Sequence, residues 1–236
     1  TGMDAAMGEL RKGLREISEH EETLLWYTSD NGGLKSNSMG GLSGKKGNLL
    51  EGGIRVPAIL EWPAKIPEPR TSSAPCNTSD FYPTLLELAG VPLPKGQPPL
   101  DGISLVPLIE GKTDIRKKAM GFWDFPAPGR SRRARAMLES LRKEQQAGEL
   151  KPAPKEGHVE KQSSTKSFPG SVAWIDGDWK LLRSKGAPKL FNLSKDSAEK
   201  NDMAGKHPEK VAEMQKALLT WQKSVTHSLN GEDYKK

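Results

Sequence analysis

The segment Thr23-Leu24-Leu25-Trp26-Tyr27-Thr28-Ser29-Asp30-Asn31-Gly32-Gly33 decides how this chain is read. Its first six residues form a short apolar run without polar alternation, the pattern of a strand buried on both faces. Upstream, Met3, Met7, Leu10, Leu14 and Ile17 recur at steps of four, three, four and three, which places them on one face of a helix. A helix followed by a buried strand predicts an α/β fold with a mainly parallel sheet. In open sheets of that kind ligands bind beyond the carboxyl ends of the strands, and this strand runs directly into Ser29-Asp30-Asn31.

Working outward, Gly32 to Gly53 holds eight glycines in 22 residues, and Ile54 to Leu60 follows as a second strand candidate. A connection that long between two strands is more often functional than idle. Ser79 to Ala89 predicts a helix with Phe81, Leu85 and Leu88 on one side, Ser79 as N-cap and Gly90 as stop. Asp101 to Ile109 is a short apolar segment that closes at Gly111. After Trp123 the composition shifts. Residues 124–170 are rich in Pro, Gly, Lys, Arg and Ser, with one helix predicted over Arg132 to Gln146. The apolar runs Val172 to Ile175 and Trp179 to Leu182 flank Asp176-Gly177, a hairpin signal, and Leu190 to Leu193 adds a strand. From Pro208, Val211, Met214, Leu218, Trp221 and Val225 form a helical face expected to pack on that hairpin sheet. The expected division is an α/β part over 1–115 and a small α+β part over 116–236.

The 236 residues are 34% hydrophobic and 28% charged, ordinary globular composition. A chain of this size buries roughly 70% of its unfolded surface and needs no staples. A lone Cys76 excludes an internal disulfide and a cysteine-based zinc cluster. No run approaches the length of a membrane span, and the start at Thr1 has no signal-peptide pattern. The net charge of +6 is concentrated: Arg130 to Lys166 carries ten Lys/Arg against five Asp/Glu. That is not the spread basic surface of a nucleic-acid binder.

Asp30 and Asn31 offer one carboxylate and one amide oxygen, the mixed set that hard cations such as Ca²⁺ use, though the same pair also makes an Asx turn. Two oxygens alone fall short of the six to eight that Ca²⁺ takes. The stretch Gly44-Lys45-Lys46-Gly47-Asn48-Leu49-Leu50-Glu51-Gly52-Gly53-Ile54-Arg55-Val56-Pro57 places lysines between glycines. A lysine there can meet a phosphate or sulfate oxygen as a point charge, or simply be solvated. It is not a P-loop, because Met39 and Lys46 stand where that motif needs Gly and Ser or Thr.

The order of these motifs resembles the arylsulfatase-type sulfatases of the alkaline phosphatase superfamily. The likeness runs on through Thr78-Ser79-Asp80-Phe81-Tyr82-Pro83-Thr84-Leu85-Leu86, Asp101 to Leu105, Asp178-Trp179-Lys180-Leu181 and Leu190 to Asp196. The resemblance implies a sheet sandwiched by helices plus a small antiparallel sheet packed by the C-terminal helix. It implies that Asp30 and Asn31 ligate a Ca²⁺ that polarises the sulfate ester. Lys46, five residues before Glu51, would bind the sulfate. A sulfated small molecule or polysaccharide is the implied substrate. A periplasmic, secreted or lysosomal location is implied by analogy.

Such enzymes attack sulfate with a formylglycine made from a Cys/Ser-x-Pro-x-Arg motif. Cys76 is followed by Asn77, Thr78 and Ser79, and the chain's one Pro-x-Arg, Pro128-Gly129-Arg130, has Pro126 at the nucleophile position. No catalytic nucleophile is therefore expected here, and the chain is expected to be the C-terminal portion of a sulfatase, inactive alone. The alternatives are a phosphodiesterase or phosphonate monoester hydrolase of the same superfamily, or a non-catalytic module that binds anionic polysaccharide through Arg130 to Lys166. His20, His207 and His227 are expected to be solvated, His158 could touch substrate, and Cys76 is expected to be at least partly buried.

Overall fold

The computed structural model describes residues 1–35, 38–125, 138–143, 145–148 and 167–234. Helix α1 (Gly2–Glu16) opens on Thr1, whose hydroxyl accepts the Asp4 N–H. Strand β1 (Leu25–Thr28) pairs with β2 (Ala58–Glu61), Thr28 opposite Ala58 and Leu25 opposite Glu61. Arg11 of α1 grips Glu61 with both Nε (2.7 Å) and Nη2 (2.9 Å).

The pair β1–β2 is antiparallel, so the parallel sheet expected from the first strand is not built among the described residues. The connection 29–57 leaves and re-enters at the same end of the pair instead of crossing over, and a chain that returns at the same end must run antiparallel. All four β1 residues are half-buried rather than buried. The second strand starts later than expected, because Ile54 completes the short helix α2 (Glu51–Ile54) and Pro57 separates it from β2.

Helix α3 (Phe81–Leu88) follows a 3₁₀ turn, Thr78–Asp80. The side-chain cap sits on that turn and is Asn77, not Ser79: Asn77 Oδ1 accepts the Ser79 N–H and Asp80 Oδ2 accepts the Asn77 N–H in return, while Asp80 is the N-cap of α3 itself. Gly90 terminates the helix with φ +64° as expected, but Leu85 faces solvent and Thr84 is the buried residue. Trp26 of β1 lies against Phe81, ring centroids 4.1 Å apart. Helix α4 (Val106–Ile109) follows, and buried Asp80 ties this region together.

The second sheet is antiparallel in the order β3 (Met120–Asp124), β4 (Ser171–Asp176), β5 (Trp179–Arg183), β6 (Lys189–Asn192). The expected β4–β5 hairpin forms, its two-residue turn being Gly177-Asp178 with Asp176 paired to Trp179, one residue beyond the Asp176-Gly177 step. Helix α5 (Pro208–Leu229) packs on this sheet as expected, with Met214, Leu218, Gln222 and Thr226 buried at four-residue steps. The apolar core gathers Val172, Trp174, Leu181, Leu190, Met214 and Leu218. Strand β3 had no sequence signal, since Gly121 interrupts it. A side chain at 121 would meet the Trp221 ring at 2.5 Å.

One smaller expectation changes. Cys76 is exposed. His227 belongs to the last turn of α5 and sits 2.6 Å from Glu232 and 3.3 Å from Asp233, while His20 contacts Glu21 and His207 lies edge-on to Trp179. His158 and most of the basic stretch lie outside the described residues, although 138–143 are helical, within the helix predicted there.

Candidate functional site

The loop 29–57 is held by close backbone contact. Ser29 Oγ donates to the Asn31 carbonyl at 3.0 Å, which turns the chain as it leaves β1. The Gly32 N–H donates to the Gly53 carbonyl at 3.0 Å, and the Lys46 N–H donates to the Gly33 carbonyl at 2.9 Å. A Cβ on Gly32 would lie 1.9 Å from the Gly52 carbonyl oxygen, and one on Gly53 would lie 2.1 Å from that of Asn48. Glycine is thus required where 30–33, 43–48 and 51–53 interlock.

This weave brings together the residues the sequence singled out. Lys46 Nζ lies 4.0 Å from Asp30 Oδ2, and both side chains are exposed. The Asn31 amide donates to the same Asp30 oxygen. Two oxygen-bearing side chains and one ammonium therefore share an open face beyond the end of β1. Lys45, next in sequence, is exposed, and its backbone N–H is tied to Asn48 Oδ1 at 3.1 Å. Among the described residues no group of three or more His, Cys, Asp or Glu side chains is placed to hold a metal ion.

Beneath this face lies a cluster that sequence reasoning missed. Glu51, first residue of α2, is buried, and its Oε1 lies 2.8 Å from Lys180 Nζ of β5. The same ammonium lies 2.8 Å from Glu199 Oε1, and Glu199 Oε2 accepts the Glu51 N–H at 2.6 Å. Burial pushes the Glu199 carboxyl above the usual glutamate value, with the Lys180 charge opposing. Glu199 is presented with φ +54° on a turn whose N–H groups at Lys200 and Asn201 both point to Asp196. Those two bonds hold the Asp196 carboxyl below its usual range. The available signal was one lysine inside the apolar run Trp179 to Leu182, a position where a charge must find a partner.

Residues 1–91 match the Sulfatase family model. Human steryl-sulfatase is 38% identical over 121 residues, 47% of this chain and 21% of that protein. Rat arylsulfatase G is 27% identical over 224 residues, 88% of this chain and 38% of that protein. Among solved structures, Ps i-CgsB in complex with k-i-k-neocarrahexaose superposes with a TM-score of 0.68 at 22% identity, over 97% of this chain and 45% of that one. The chain spans less than half the length of each of these three proteins. A family match over the Asp30 and Lys46 loop, a relative aligned over 88% of the chain, and a fold shared along nearly the whole length agree: residues 1–91 match the Sulfatase family, and the chain resembles the arylsulfatase-type sulfatases of the alkaline phosphatase superfamily.

Proposed function

We propose that this chain supplies part of the site of a sulfuric ester hydrolase, with Lys46 as the contact to the sulfate group and Asp30 and Asn31 as two ligands of a Ca²⁺. The supporting observation is the 4.0 Å approach of Lys46 Nζ to Asp30 Oδ2 on an open face, held by the Lys46 N–H bond to Gly33. The donors fit such an ion in kind, since a carboxylate and an amide oxygen are hard ligands and Asp30 is 79% exposed at the side chain. Bound there, Ca²⁺ would supply Lewis-acid polarisation of the ester. Lys46 would hold its ammonium against the sulfate oxygens and favour the charge that grows on them as the ester bond breaks.

The formylglycine nucleophile has no fitting residue here, since Cys76 is followed by Asn77, Thr78 and Ser79 and so lacks the motif. The proposed whole is a longer protein in which this chain is the C-terminal portion, 1–115 contributing to the α/β catalytic part and 116–236 a smaller subdomain. Its apolar surface supports that reading: Met3 and Leu10 on α1, Ile17 just past its end and Ile59 on β2 are between 46% and 66% exposed, which suits a face that further chain covers. No helix among the described residues is long and apolar enough to cross a membrane, and a periplasmic, secreted or lysosomal setting is proposed from the family.

The test is turnover of an aryl sulfate beside an aryl phosphate by the protein extended upstream through a Cys/Ser-x-Pro-x-Arg motif. Sulfate turnover that Ca²⁺ chelation abolishes is the expected result. A preference for the phosphate would overturn the assignment, and metal-dependent sulfate turnover by residues 1–236 alone would overturn the truncation reading.

A further inference from the structure

We propose that Lys180 is a positioning residue for Lys46, acting through the carboxylate of Glu51; the inference rests on the role assigned to Lys46 above. Lys180 is the second residue of β5, paired with Ile175 and Phe191, and its side chain is fully buried, as is that of Glu199. A lone ammonium there would be costly, and two carboxylates meet it at 2.8 Å each. Such clusters are weak devices for stability, since apolar residues of similar size often do as well. What an apolar residue could not do is fix where Glu51 sits.

The position of Glu51 governs the site because α2 has no slack. Glu51 leads into Gly52 and Gly53. The Gly52 N–H donates to the Ser43 carbonyl at 2.7 Å, while the Gly53 carbonyl receives Gly32. The places where Cβ atoms would stand on Gly52 and Gly53 are occupied by the carbonyls of Ser43, Gly44, Lys45 and Asn48. A shift of Glu51 therefore moves both the segment that carries Asp30 and Asn31 and the segment that carries Lys46. Ser43 adds a second tether, its hydroxyl donating to the Ala198 carbonyl beside Glu199. On its other oxygen Glu51 faces Arg55 at 3.7 Å, so removing Lys180 leaves a solvent-side cation free to draw the carboxylate outward.

A double-mutant cycle in the upstream-extended protein, read with para-nitrophenyl sulfate, tests this. Lys180→Met is expected to lower kcat/KM at least tenfold in the otherwise unchanged protein, with KM raised. In a Lys46→Ala background the same change is expected to cost at least threefold less than in the parent, because one of the groups it positions is gone while Asp30 and Asn31 remain. A cost that multiplies in full on both backgrounds marks a merely structural role and overturns the proposal, as does unchanged turnover by Lys180→Met. Should Lys180→Met fail to fold, Glu199→Gln, which keeps an acceptor for the Glu51 N–H, is read in the same cycle against the same two outcomes. If the parent protein has no activity on the sulfate ester, the Lys46 reading fails on its own. Hydrogen exchange then decides the mechanical claim: faster exchange at Lys46, Gly52 and Gly53 with β4 and β5 unchanged supports it, and unchanged exchange at those three amides overturns it.

Discussion

Lys180 Nζ and Glu51 Oε1 lie 2.8 Å apart in a buried setting although 129 residues separate them in the chain. The contact joins the four-stranded sheet to the glycine weave that presents Asp30 and Lys46. With Glu199 included, the cluster holds two carboxylates around one ammonium, and Arg55 is the further cation facing Glu51.

That charge balance sets a pH dependence. The Glu199 carboxyl has its pKa raised in the folded protein, chiefly by burial. The folded state therefore holds this proton more tightly than the unfolded state. The contribution of Glu199 to stability is fullest below its unfolded value of about 4.3 and is lost as pH rises through the raised folded value. Thermal unfolding of the parent and Glu199→Gln across that range should show the variant gaining relative to the parent as pH rises. A difference that stays flat, or shrinks, contradicts this assignment.

Asp80 and Arg116 form a second buried ion pair, Nη1 to Oδ2 at 2.7 Å and Nη2 to Oδ1 at 3.0 Å. Asp80 also accepts the N–H groups of Asn77 and Ile103 at 2.8 Å each, so one carboxylate joins three separate segments. Asp80→Asn leaves the Arg116 charge buried without its partner, and about 3–5 kcal/mol of stability should be lost. Denaturant midpoints at constant slope would measure it. A loss below about 1 kcal/mol would mean that water reaches the guanidinium.

Much of this architecture is legible in local pattern. The helical steps of α5 and the Asp176-Gly177 hairpin are short-range signals, and both appear where the residues place them. What is not legible depends on distant partners. Gly121 breaks the apolar run of β3, because its place is set by the Trp221 ring that lies over it and by Trp174, its partner across the sheet. The antiparallel sense of β1 and β2 depends on where a 29-residue connection returns, which no window of the sequence contains. Asp30 and Lys46 could be named from motif order, while Glu199 could not, since a glutamate in a polar turn looks solvated until β5 is laid against it.

Calcium affinity should report how much of the site this chain contains. In the proposed site Asp30 and Asn31 would provide two of the six to eight oxygens that Ca²⁺ takes, and no group of three or more metal-holding side chains lies among the described residues. Calorimetry on residues 1–236 is expected to find weak binding or none. Micromolar affinity would show that other acids complete the shell, and the assignment of Asp30 and Asn31 as a partial set would fall.

The two adjacent lysines give the sharpest discrimination. Lys46 is placed by its own N–H bond to Gly33 and turns its ammonium toward Asp30, whereas Lys45 is exposed and its backbone serves the turn to Asn48. If Lys46 contacts the sulfate as proposed, Lys46→Ala in the upstream-extended protein removes a charge from beside the group being transferred. By comparison with loss of one oxyanion donor, this should cost about 2–4 kcal/mol in the barrier, roughly 10²- to 10³-fold in rate. Lys45→Ala removes a solvated charge, and its effect should stay within about 1 kcal/mol. Steady-state kinetics of both variants on an aryl sulfate separates them. Equal losses, or a larger loss at Lys45, would show that the neighbouring ammonium meets the sulfate and that the spacing from Glu51 is off by one.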